Sequence, residues 1–76
     1  MKNEIYGSFS SMTLTEEGKL IINFLSDNNE KFIVEIESLI KEDGSGRKFL
    51  INHKHVNSIS GYVDFATNKG YIKIKN

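Results

Sequence analysis

Phe32-Ile33-Val34-Glu35-Ile36-Glu37-Ser38-Leu39-Ile40 decides the fold, because the stretch can be written as a strand or as a helix. At a period of two, Phe32, Val34, Ile36 and Ile40 face one way while Glu35, Glu37 and Leu39 face the other. That is a strand with one apolar and one partly acidic side. At helical spacing, Phe32, Ile33, Ile36, Leu39 and Ile40 form a stripe, Asp27 and Glu30 have capping-box spacing, and Gly44 supplies a stop. Propensity separates the two: Phe-Ile-Val-Glu-Ile is poor helix material, because branching at Cβ stiffens χ1 and favours the pleated backbone.

The rest of the chain agrees with the strand. Sixteen β-branched residues stand against one alanine. Upstream, Ser26-Asp27-Asn28-Asn29 is turn chemistry. Before it, Leu20, Ile22 and Phe24 share one side and Ile21, Asn23 and Leu25 the other, as expected of a central strand covered on both faces. Thr15-Glu16-Glu17-Gly18 closes an earlier hairpin, with Gly18 free to take positive φ. In the first strand the apolar parity switches from Ile5, Gly7 and Phe9 to Met12 and Leu14. A β-bulge near Ser10-Ser11 would cause such a switch.

Downstream of a glycine-containing loop at 41–47, a fourth strand carries Phe49, Ile51 and His53 on one parity, and a fifth carries Ile59, Gly61, Val63 and Phe65. Thr67-Asn68-Lys69-Gly70 reads as a last hairpin leading into Tyr71 through Lys75. The expected fold is therefore all-β: residues 1–76 as one small antiparallel meander of about five to six strands, curling into a barrel of OB or SH3-like size. Curling would also remove edges that a chain without proline has no residue to blunt. The rival is α+β, with a helix at about 29–43 packed on the sheet.

Composition narrows the function classes. At 76 residues, a chain buries only roughly 60% of the surface its unfolded form exposes, so spare interior for a pocket is scarce. Without cysteine there is neither a disulfide scaffold nor a thiolate for zinc. No apolar run approaches the ~20 residues that span a bilayer, and Met1-Lys2-Asn3-Glu4 does not read as a signal peptide. The expectation is a cytoplasmic protein with no membrane partner and no small-molecule substrate. Ten isoleucines, nine lysines and eight asparagines against one alanine and one arginine suggest AT-rich coding, as in a low-GC bacterium or a phage within one.

Zero net charge conceals a segregation: residues 1–45 carry nine acids against four lysines, and residues 46–76 carry six bases against Asp64. The sharpest candidate surface is the last strand. With Ile72 and Ile74 inward, Lys69, Tyr71, Lys73 and Lys75 share the other side. Cations follow phosphates and an aromatic face stacks a base, so such a stripe suits single-stranded nucleic acid; Tyr62, Arg47, Lys48 and Lys54 would extend it if strand order brings them near. The bland reading is a solvated face with lysines protecting an edge. Glu30, Glu35, Glu37, Glu42 and Asp43 would form an acidic partner face.

His53 and His55 lie two apart, which in a strand points both imidazoles one way, but two ligands fall short of a zinc site. Gly44-Ser45-Gly46-Arg47-Lys48 lacks the spacing of a phosphate-cradling loop. The carboxylate pairs have no pocket to split their pKa values, and no serine sits in a G-x-S-x-G elbow. What survives is a non-enzymatic binding module without cofactor, expected to be a protein-protein regulator or inhibitor, phage-encoded or able to self-associate. The alternative is a small-barrel single-strand binder.

Overall fold

The computed structural model describes residues 4–38 and 47–75, and every regular element in them is a strand. In chain order these are β1 (Glu4–Leu14), β2 (Lys19–Ser26), β3 (Lys31–Ser38), β4 (Arg47–Ile51), β5 (Lys54–Val56), β6 (Ser58–Asp64) and β7 (Lys69–Lys75). They form one antiparallel sheet in the order β5-β4-β3-β2-β1-β7-β6, curled into a half-barrel. The first five strands meander; the β6–β7 hairpin then attaches to the far side of β1. Over residues 31–38 the strand is the conformation taken, which removes the helix at about 29–43. The glycine-rich segment 44–46, Leu39, Ile40, Glu42 and Asp43 lie outside the described residues.

One face of the sheet forms the core. Phe9, Ile22, Phe24, Val34 and Ile72 are buried, and Ile5, Leu20, Phe32, Ile36, Ile51, Ile59, Val63 and Ile74 pack against them. Phe9 and Phe24 meet edge to face at 4.9 Å across the β1–β2 ladder. Fully burying a side chain of this size is worth about 1.5–3 kcal/mol, which makes this inner layer the main source of stability. The parity switch in β1 is a register shift between Phe9 and Ser11, after which Met12 pairs with Ile22. The extra residue lets one strand serve the inner face at both ends.

Turn chemistry sets the registers. Gly18 takes φ +83° and Asn29 φ 65° in the first two hairpins, while Ser26 Oγ accepts from the Glu30 amide at 3.0 Å. The third hairpin corrects the expected strand containing His53. Asn52 and His53 both adopt positive φ, 49° and 69°, forming a two-residue turn whose twist matches that of the flanking strands. One expected strand thereby becomes β4 and β5, and the total rises to seven. The last hairpin is also shifted: its turn is 65–68, with Asn68 at φ 59°, and Lys69 and Gly70 belong to β7.

Two further expectations change. β2 is central, but Asn23 is exposed and Ile21 and Leu25 are half-buried, so only its inner face is covered. Curling also stops before closure, leaving β5 and β6 as edge strands. A single residue, Asn57, joins these opposite edges, and its amide donates to Lys75 O at 2.8 Å. The chain therefore bridges one corner of the half-barrel.

Candidate ligand-binding face

Directly opposed residues of antiparallel strands point to the same side, so the registers define the outer face of β1, β7 and β6. Tyr71 lies opposite Tyr6 on β1 and opposite Tyr62 on β6. All three tyrosines of the chain thus stand in one row across three strands. Ring centroids are 5.4 Å apart between Tyr6 and Tyr71 and 6.3 Å between Tyr62 and Tyr71, the latter pair stacked at 29°. The outer two rings are open to solvent, 55% exposed at Tyr6 and 59% at Tyr62.

Glycines behind the row explain its position. Gly7 and Gly70 are paired on the inner face. A Cβ on Gly70 would fall 1.8 Å from Tyr62 O, and one on Gly7 2.1 Å from Leu25 O. No side chain fits there, so the strands approach closely on the side of the sheet opposite the tyrosines. Tyr6-Gly7, Gly61-Tyr62 and Gly70-Tyr71 are the sequence trace of this arrangement. Tyr6 was missing from the sequence-based surface because the β1–β7 pairing joins opposite ends of the chain.

The lysines flank the row. Lys69 lies on one side of Tyr71 and Lys73 and Lys75 on the other, all exposed. Their cross-strand neighbours are Ser8 and Asp64 for Lys69, Glu4 and Ser60 for Lys73, and Ser58 for Lys75. Among the described residues none of the three forms an ion pair with a carboxylate within 4.0 Å. The two nearby acids have other partners: Glu4 Oε2 accepts from Tyr6 Oη at 2.9 Å and Asp64 Oδ1 accepts from the Ala66 amide at 2.9 Å. The Glu4 hydrogen bond, assisted by its negative charge, raises the Tyr6 phenol above its ordinary pKa and keeps it protonated.

Arg47, Lys48 and Lys54 do not join this face, since β3, β2 and β1 separate β4 from β7. Lys48 stands opposite Glu37, Arg47 opposite Ser38 and Lys54 opposite Ile51. Of the acidic partner face, Glu30 is exposed, whereas Glu35 and Glu37 are held from within the acidic half by Lys19, whose Nζ lies 3.0 Å from Glu35 Oε2 and 3.1 Å from Glu37 Oε1. His53 Nδ1 adds a contact to Glu35 Oε1 at 3.1 Å. Glu35 is only 8% exposed, and the Lys19 hydrogen bond lowers its pKa against the opposing effect of burial. Lys19 is raised in return. His53 sits in a turn and its ring meets Glu35, while His55 lies on β5 opposite Leu50, itself opposite Glu35, so the continuous strand expected to carry both histidines is not found although both rings lie on the Glu35 side. Among the described residues no group of three metal-ligating side chains comes together, and no helix is long and apolar enough to cross a membrane.

Comparison with protein-family models, with curated proteins and with solved structures gives no match.

Proposed function

We propose that the chain is a non-enzymatic binding module whose ligand is single-stranded nucleic acid, held on the outer face of β1, β7 and β6. One observation carries the reading: three tyrosines in a row, flanked on both sides by exposed lysines, none of which lies within 4.0 Å of a described carboxylate. Bases stack on aromatic rings for about 1–3 kcal/mol each without regard to sequence, and the ammonium groups neutralise the phosphates between them. With three lysines the electrostatic part is small. If each meets one phosphate, the log–log salt slope is about −2, and affinity falls about twentyfold between 50 and 200 mM salt.

The chain supplies its own probe. It has no tryptophan and all three of its tyrosines stand in the row, so ultraviolet emission reports on this face alone. Titration with a short oligonucleotide should quench that emission, with a matching rise in anisotropy of a labelled strand. Lys73→Glu combined with Lys75→Glu should abolish both. Absence of binding at low salt with millimolar protein discards the reading.

A second reading keeps the same face but gives it a protein partner, as a small regulator or inhibitor, including one encoded by a phage. Glu4 and Asp64 among the lysines make a mixed-sign surface around exposed tyrosines, the residue mix of many protein contacts. Its mark would be a partner lost on Tyr71→Ala with oligonucleotides never bound.

A further inference from the structure

We propose that two copies of this chain pair edge to edge through β6, antiparallel about a two-fold axis at Gly61, and so join their tyrosine rows. The inference is independent of what the outer face binds. β6 pairs with β7 on one side and, among the described strands, with nothing on the other. Ser60, Gly61 and Tyr62 are exposed, and exposure of a glycine is exposure of its backbone. Along such an edge half of the N–H and C=O groups lack a ladder partner, and proteins usually blunt it with proline, lysine or an inward charge. β6 has none of these; its one charged residue is Asp64, at its last position.

The occupant is a second copy because the strand is complementary to itself. Pairing about Gly61 sets Ile59 opposite the partner's Val63 and Ser60 opposite the partner's Tyr62, each pair on one face. Asp64 falls opposite the partner's Ser58, and Asn57, where the chain turns away to β5, lies outside the overlap. No like charges meet. On the inner side Ile59 and Val63 line an apolar cleft of about 180 Å³ with Phe9, Val34 and Ile36, and the incoming strand would roof it with the same two apolar side chains. On the outer side the two rows would become one run of six tyrosines, Tyr62 next to Tyr62 of the second copy on the diagonal. A two-fold contact of this kind closes on itself and does not propagate into fibres.

Sedimentation velocity of the full chain from micromolar to about 1 mM should show a reversible monomer–dimer equilibrium. A charge exchange then tests the register. Ser60→Glu with Tyr62→Glu sets carboxylates opposite each other twice per dimer and should raise Kd about tenfold, whereas Ser60→Glu with Tyr62→Lys sets opposite charges together and should restore association. In both, Glu at 60 would face Lys73 within the chain, so folding, checked by circular dichroism, should hold. A monomer at every concentration overturns the proposal, as does a dimer whose Kd is the same in both variants. Should either variant fail to fold, amide exchange of the unaltered chain decides: protection at 60–62 should increase with concentration, and constant protection overturns the pairing.

Discussion

Two outer surfaces of the same sheet treat charge in opposite ways. Across β2, β3 and β4, Lys19 and Lys48 face Glu35 and Glu37, and Lys19 closes the ring of contacts at 3.0 and 3.1 Å. Across β1, β7 and β6, lysines alternate with tyrosine while the acids turn to other donors. The first surface is satisfied by its own residues. The second leaves cations and aromatic rings for something else to meet. Segregation of charge along a sequence is therefore not segregation in space, and strand pairing decides which half keeps a surplus.

The largest effect should come from removing what both surfaces share. Phe24 is 2% exposed beneath them, and Phe24→Ala should cost about 3–5 kcal/mol, enough to unfold so small a domain at room temperature in a denaturant titration. Gly70→Ala should act on the tyrosine side alone. With a Cβ 1.8 Å from Tyr62 O, the β6–β7 ladder must shift at a cost of about 1–3 kcal/mol, and amide exchange should rise in β6 while β3 stays protected. Tyr71→Ala leaves both ladders intact but empties the middle of the row; loss of one stacked base predicts an oligonucleotide affinity weaker by about 1–3 kcal/mol with a melting temperature nearly unchanged.

The smallest effect belongs to the satisfied surface. Glu35→Gln should lower stability near neutral pH by about 1 kcal/mol, the upper end for a partly exposed pair, without changing oligonucleotide binding. Because the Glu35 pKa is depressed in the fold, its contribution is complete above the ordinary value of 4.5 and disappears as pH falls through the lower folded value. Melts of the Gln variant between pH 6 and pH 3, roughly, should therefore converge on those of the unaltered chain; divergence toward acid would refute the assignment.

Much of this was legible in residues. The alternation from Phe32 to Glu37, the parity switch at Ser10 and the turn at 26–29 carry local signals, and the structure keeps all three. Even the neutralised acids were recoverable, because a turn at 26–29 places Lys19 opposite Glu37. The Asn52-His53 turn was hidden because a two-residue hairpin is advertised by Asn-Gly, and here histidine takes the left-handed position where glycine is usual. Tyr6 was hidden for a different reason. Its place in the row depends on the first strand meeting the last, a pairing across nearly the whole chain that no window of neighbouring residues encodes.

That same pairing has a mechanical consequence. Glu4 and Lys73 are partners, so the start of β1 and the end of β7 lie side by side at one end of the ladder. A load applied through these two ends would peel the hydrogen bonds apart one after another, like a zip, instead of shearing them together. Tethered by its ends, this domain would yield at low force, and the tyrosine row would be the first thing torn in two.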